Sequence, residues 1–144
     1  MTKWVVVIVD TGILVAAAFP EDRYHAECTE FLRDPGDDMA VSDVVVGEIS
    51  HFFKRSPHQP RPEVAFLRWL AGGRVEPLAP VRADYERMSE LVERYHDLPL
   101  GATDASIVAL AERLGVTRIA TVARRDFGVV RPRHVGAFDL VPAL

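Results

Sequence analysis

The run Trp4-Val5-Val6-Val7-Ile8-Val9 contains no polar residue and ends on Asp10-Thr11-Gly12. Successive side chains of a strand point to opposite faces, so a run without alternation is expected to be covered on both faces. The β-branched residues at Val5–Val9 suit an extended chain, and the run has a strand's length rather than a helix's. Strands of that kind belong inside a parallel sheet with helices on either side. The rest of the chain keeps the same pattern. Ile13–Ala18 reads as a short helix ended by Pro20, and Glu21–Arg33 as a second helix followed by the loop Asp34–Asp38. Met39–Val41 is expected as a strand, and Ser42 or Asp43 suits the cap of a helix running to Lys54. After a proline-rich break at Ser56–Pro62 come a helix at Glu63–Leu70, the stop Gly72-Gly73, and a strand at Arg74–Leu78. Helices follow at Val81–His96 and Ala102–Leu114, the latter closed by Gly115, then a strand at Arg118–Val122 and a fifth at Ala137–Val141. Strands alternating with helices predict an α/β fold with a central, mainly parallel sheet of four to five strands flanked by helices.

With 144 residues, 49% of them hydrophobic, the chain is expected to form one domain, 1–144, without repeat or linker. Lys3 followed by Trp4–Phe19 has the outline of a secretory signal, but Asp10 and Gly12 interrupt it, and a buried strand entering a helix accounts for it better. Nothing else approaches a membrane segment. The single cysteine, Cys28, has no internal partner and lies beside Tyr24, Phe31 and Leu32, which reads as a small buried hydrophobe. That usage fits a reducing cytoplasm. A net charge of −4 argues against a general nucleic-acid binder. Two local segments run the other way: Arg118, Arg124, Arg125, Arg131 and Arg133 near the C-terminus, and Lys54, Arg55 and Arg61 in the middle. Such segments either hold a phosphate backbone or are solvated loops.

Four carboxylates stand where apolar segments end or turn. Asp10 closes the first strand, and sites of parallel sheets lie just beyond the carboxyl ends of strands. Glu48 belongs to the row Val44–Glu48–Phe52, at the edge of an apolar face formed by Val45, Ile49, Phe52 and Phe53. Asp104 heads the stripe Ile107, Val108, Ala111 and Leu114, so both acids are expected to point toward the core. Asp126 lies a few residues past the fourth strand. Asp34, Asp37, Asp38, Glu86, Glu90, Glu93 and Glu112 have no such placement and read as surface charge. Asp10 or Asp104 could each be only a helix cap, and Glu48 could pair with a distant arginine. Three acids of this kind converging without a cation would repel by about 4 kcal/mol per close pair. Either a shared proton or a divalent cation such as Mg²⁺ or Mn²⁺ relieves that repulsion. The five histidines show no zinc-ligand spacing, and no phosphate-binding glycine loop or nucleophile elbow is present.

These residues fall in segments that resemble the PIN-domain ribonucleases, particularly the VapC-type toxins of bacterial toxin–antitoxin pairs. The segments are V-I-V-D-T-G-I-L-V at 7–15, V-S-D-V-V-V-G-E-I at 41–49, D-L-P-L-G-A-T-D-A-S-I-V-A-L-A at 97–111 and T-V-A-R-R-D-F-G-V-V-R-P at 121–132. The resemblance implies a PIN-like fold, Mg²⁺- or Mn²⁺-dependent cleavage of RNA, a homodimer and neutralisation by a cognate antitoxin protein. By position, Asp10, Glu48 and Asp104 match the family's first three acids. The fourth departs from T-x-D-R-R-x-F: Ala123 stands where the acid is usual, and Asp126 follows three residues later. Asp126 either substitutes for it or is a residue of the following turn.

The expected activity is hydrolysis of an RNA phosphodiester, with Asp10, Glu48 and Asp104 catalytic and metal-binding and Asp126 supporting a second ion. Thr11, Arg124, Arg125 and Arg131 are the candidate contacts to the substrate. A PIN-fold module that binds antitoxin or RNA with little catalysis is the alternative, and Ala123 favours it. A carboxylate phosphohydrolase of small phosphoesters is a third.

Overall fold

A computed structural model describes residues 6–57 and 61–144. Trp4, Val5 and His58–Pro60, which enter the first strand and the proline-rich break expected from the sequence, lie outside the described residues. The elements are β1 (Val6–Val9), α1 (Thr11–Ala18), α2 (His25–Arg33), β2 (Asp38–Ser42), α3 (Asp43–Lys54), α4 (Pro62–Ala71), β3 (Val75–Leu78), α5 (Arg82–Arg94), α6 (Ala102–Leu114), β4 (Arg118–Ala120), α7 (Arg124–Val129) and β5 (Asp139–Val141). The sheet has five strands in the order β3-β2-β1-β4-β5, and every neighbouring pair is parallel.

Val7, Ile8 and Val9 are all fully buried, so β1 is covered on both faces, as its composition requires. It lies at the centre of the sheet, paired with β2 through Val7↔Met39 and with β4 through Ile8↔Ile119. The chain winds outward from β1 to β2 and β3 on one side and to β4 and β5 on the other. The carboxyl ends of β1 and β4 therefore form the point where the winding reverses, the usual crevice of an open α/β sheet.

Several boundaries differ from the sequence reading for local reasons. α2 begins at His25 rather than Glu21, because the Asp22 carboxylate accepts the Tyr24 N–H at 2.8 Å and holds a turn there. β4 stops at Ala120, because the Thr121 hydroxyl accepts the Ala123 N–H at 2.8 Å and bends the chain into α7, a helix the sequence reading lacked. α6 is buried around its whole circumference from Ala105 to Ala111, not along one stripe, and Leu114 is 46% exposed. A helix this apolar on all sides belongs inside the molecule. It packs on α5, α3 and β2 and ends at Gly115, whose φ of 70° is the left-handed cap that glycine favours. On α3, Val45, Ile49 and Phe53 are buried, whereas Phe52 is 50% exposed and leaves the apolar face expected of it.

Candidate active site

Asp10 is delivered by the end of β1. Its backbone N–H still donates to the Ala120 carbonyl at 2.8 Å, which continues the ladder with β4, and its side chain then opens α1 as the N-cap. The carboxylate accepts the Thr11 N–H at 2.8 Å on Oδ1 and the Thr121 hydroxyl at 2.8 Å on Oδ2. The cap and site readings of Asp10 are thus compatible, since one oxygen caps the helix and the other faces β4. Thr121 is fully buried and links Asp10 to the start of α7 through the Ala123 N–H. Gly12 permits this close approach: a Cβ there would collide with a Val122 methyl carbon, so a side chain would push α1 away from the β4 end.

Asp104 lies in the first turn of α6. Gly101 is the N-cap and no side chain caps the helix, so Asp104 does not serve as its cap. Its half-buried carboxyl is pushed up from 3.8 to about 7. Burial is the main cause, followed by repulsion from Asp10, Asp126 and Glu48. The Asp10 carboxyl is also raised, by burial first and by the charges of Glu48 and Asp126, against the opposing hydrogen bonds from Thr121 and Thr11. No lysine or arginine figures among the influences on either group. The four acids named from the sequence therefore share one uncompensated negative field.

Glu48 departs from expectation. It is exposed rather than turned to the core, at the rim of α3, and its Oε2 accepts the Thr103 hydroxyl at 2.6 Å. Thr103 immediately precedes Asp104, so this bond ties the two acid-bearing helices together. Asp126 is half-buried in the first turn of α7, one turn beyond Ala123, which is the helix's N-cap. Thr11 presents a buried hydroxyl oxygen without a partner among the described residues.

Hard oxygen donors under uncompensated negative charge suit Mg²⁺ or Mn²⁺ in chemistry. Among the described residues, though, no three acidic, histidine or cysteine side chains stand close enough to hold one ion. Asp10 is tied to Thr121 and Glu48 to Thr103, so the acids converge in charge without closing on a common point. Ligation would require those side chains to draw in.

The basic segment is largely spoken for. Arg118 pairs with Asp37 at 2.7 Å and Asp139 at 2.9 Å, and Arg133 with Glu90 at 2.9 Å. Arg124 turns inward, donating to the Leu140 carbonyl at 3.2 Å, with Nε and Nη2 buried and unpartnered among the described residues. Arg125 and Arg131 are exposed. Two acids taken for surface charge are not: Asp37 is nearly buried under Arg118, and Glu112 accepts Arg87 at 2.7 and 3.0 Å and the Arg133 N–H at 2.8 Å. The partners hold the Glu112 carboxyl below its usual range despite its burial. Cys28 is fully buried with its thiol pushed up to about 11, as burial dictates, so it is an inert core residue. Thr121 and Thr103, which donate to Asp10 and Glu48, are not singled out as site residues by the sequence. Their only signal was position, each adjacent to a segment carrying an acid.

The PIN domain family profile matches residues 7–129, which spans all four acids and both threonines. The chain belongs to the PIN-domain family. Ribonuclease VapC26 of Mycobacterium tuberculosis (strain ATCC 25618 / H37Rv) is 33% identical over 135 residues, covering 94% of this chain and 99% of the relative, so this PIN domain is of the VapC type. The fold is also that of VapC20 from Mycobacterium tuberculosis, described as a sarcin–ricin loop cleaving toxin, with TM-score 0.73 and 19% identity over 90% of this chain and 98% of the other. A toxin–antitoxin complex from Klebsiella pneumoniae is similar as well, at TM-score 0.66 and 20% identity over 94% and 96% of the two chains. No helix among the described residues of this PIN domain is long and apolar enough to cross a membrane.

Proposed function

We propose that this PIN domain is a divalent-metal-dependent endoribonuclease, the toxin of a toxin–antitoxin pair. The observation that carries this reading is the Asp104 carboxyl raised to about 7 by burial and by three neighbouring acids, with no cation from the chain to relieve it. The ribonuclease relative at 33% identity supports the same activity. Asp10 and Asp104 would hold the ion, and Asp126 would supply the fourth acid that Ala123 lacks. A divalent ion bound there supplies Lewis acidity toward a phosphoryl oxygen and lowers the pKa of an attacking water. Glu48, exposed and ionisable, accepts the proton that the water gives up as it adds to phosphorus. The P–O bond to the leaving ribose oxygen would break, and that oxygen would take a proton from solvent, leaving a phosphomonoester and a hydroxyl end. Arg125 and Arg131 hold the RNA backbone, contacts that position the strand without reading its sequence. Thr11 offers its free hydroxyl to a carboxylate or to the phosphate.

The partner proposed is a cognate antitoxin protein, by analogy with the toxin–antitoxin complex of similar fold. A groove of about 720 Å³ between α1, α2 and α4, floored by Phe53, Phe66 and Trp69 and flanked by Arg33 and Arg74, contains none of the four acids. It offers an apolar partner a place to dock that none of the four acids lines. A homodimer is proposed with it.

Incubating the pure protein with single-stranded RNA and Mn²⁺, with and without EDTA, tests the reading, with Asp10→Asn as the control. Cleavage that needs Mn²⁺ and Asp10 is the expected result; equal cleavage by Asp10→Asn rejects the assignment. Ala123 favours a second reading, a PIN module that binds RNA or antitoxin with negligible catalysis. RNA retention without cleavage at saturating Mn²⁺ would select it.

A further inference from the structure

Between the sheet and α6 lies a line of hydroxyl groups that continues beyond the cap Ser42 makes on α3. The Val44 N–H donates to Ser42 Oγ at 3.2 Å, Ser42 Oγ meets Ser106 Oγ at 2.8 Å, and Ser106 Oγ donates to the Thr103 carbonyl at 2.6 Å. A carbonyl can only accept, so the one proton of Ser106 is committed to Thr103. Ser42 must then donate to Ser106, and the chain runs in one direction from the N-terminus of α3 to the first turn of α6. Both serines are fully buried. Ser106 is the polar exception in Ala105–Ala111, where alanine would pack as well. At the other end the Thr103 hydroxyl donates to Glu48 Oε2 at 2.6 Å. α3 and α6 are thus pinned twice, through Ser42–Ser106 and through Glu48–Thr103, and on α6 the two pins bracket Asp104.

We propose that Thr103 is a positioning residue for the proposed nuclease, fixing the exposed Glu48 carboxylate relative to Asp104, with Ser42 and Ser106 bracing its backbone. This rests on the reading of the acids as the reactive site. An exposed glutamate would otherwise sample several rotamers, and its carboxylate would reach the site only part of the time. Hydroxyl partners that orient a ligating or proton-accepting carboxylate commonly change affinity or rate by about 10–100-fold when removed.

The test compares Thr103→Val, which keeps the shape without the hydroxyl, with Thr103→Ser, which keeps the hydroxyl. Mn²⁺ affinity is measured by electron paramagnetic resonance in the absence of RNA, kcat and KM with RNA, and thermal melting alongside. Thr103→Val is expected to weaken Mn²⁺ binding or lower kcat by about tenfold with KM little changed, and Thr103→Ser to restore it. Because Thr103 is partly exposed at a helix start, both variants should fold. A lowered melting temperature with Mn²⁺ affinity and kcat unchanged overturns the proposal, leaving Thr103 a structural tie. A loss that serine does not restore overturns it too. If the unaltered protein neither binds Mn²⁺ nor cleaves RNA, the nuclease reading itself fails and the proposal falls with it. An active parent with an indifferent Thr103→Val sinks the proposal alone.

Discussion

Removing the charge at Asp104 should stabilise the metal-free protein at pH 8 while leaving it unchanged near pH ~3. In the folded chain this carboxyl holds its proton up to about pH 7, against 3.8 for an unperturbed aspartate. Below pH ~4 both folded and unfolded chains are protonated at this position, and its contribution vanishes. Between about 4 and 7 the folded state binds more protons than the unfolded one, so stability falls as pH rises. Above pH ~7 the full penalty of an ionised Asp104 is present. A rise from 3.8 to about 7 corresponds to about 4 kcal/mol as a ceiling. Water at the half-buried carboxyl screens part of this, leaving about 2 kcal/mol as the working expectation. Urea denaturation of the parent and Asp104→Asn in EDTA, at about pH 3, 6 and 8, reads the difference directly. The two should unfold together at the lowest pH, with the variant ahead by about 2 kcal/mol at the highest. Saturating Mn²⁺ should reverse the order, since an ion present at about a hundred times its Kd stabilises a binding-competent parent by about 2.7 kcal/mol. Parallel curves for parent and variant across the whole range would refute the argument, because a carboxyl without a raised pKa has no such pH-dependent penalty.

Three further outcomes follow from the geometry. Ala123→Asp restores an acid at the N-cap of α7, beside the Thr121 bond to Asp10, and should tighten Mn²⁺ binding about tenfold, whereas Asp126→Asn should weaken it; calorimetric titration distinguishes both from no effect. Gly12→Ala drives a Cβ into the Val122 methyl and should lower stability by about 1–3 kcal/mol, and the added change Val122→Ala should recover most of it in denaturant melts. Arg125→Ala and Arg131→Ala should each reduce the slope of log affinity for RNA against log salt by about one, while Arg124→Ala, whose guanidinium is turned to β5, should leave the slope unchanged.

The fold was readable in the sequence because its central strand is apolar throughout and its neighbour β2 nearly so. Val7–Val9 and Val41 have no polar face to offer water, so both sides must be covered, and a parallel sheet between helices follows. Asp10 was readable for the same reason: it is the first polar group after a run with nowhere to go but the interior. Asp104 is legible through its apolar neighbours, although the whole girth of α6 is buried from Ala105 to Ala111 and not one stripe. Glu48 shows where periodicity misleads. The row Val44–Glu48–Phe52 lies just outside the arc that touches the sheet, and a rotation of a few tens of degrees decides between rim and core. That rotation is set by the Ser42 cap and by Thr103, long-range partners that no local pattern reveals. The ion pairs Arg118–Asp37 and Arg87–Glu112 were hidden in the same way, by separations of 81 and 25 residues. α7 was missed because its first turn depends on the Thr121 side chain rather than on any periodic stripe of its own.

The arrangement places Asp104, a carboxyl raised by burial and by its acidic neighbours, on an enclosed helix. α6 is enclosed from Ala105 to Ala111, and packing of that kind resists small adjustments that would let Asp104 retreat from its neighbours. Asp10 is held as firmly, by a ladder bond to Ala120, a helix cap and Thr121. Repulsion between the two is therefore not relieved by movement, and only a proton or a cation can relieve it. The other two acids are held less tightly: Glu48 by one hydroxyl on an exposed rim, and Asp126 on a six-residue helix. On the proposed reading the rigid pair Asp10 and Asp104 would meet a cation while Glu48 stays where the Thr103 hydroxyl holds it, and Asp126 is the acid left to adjust.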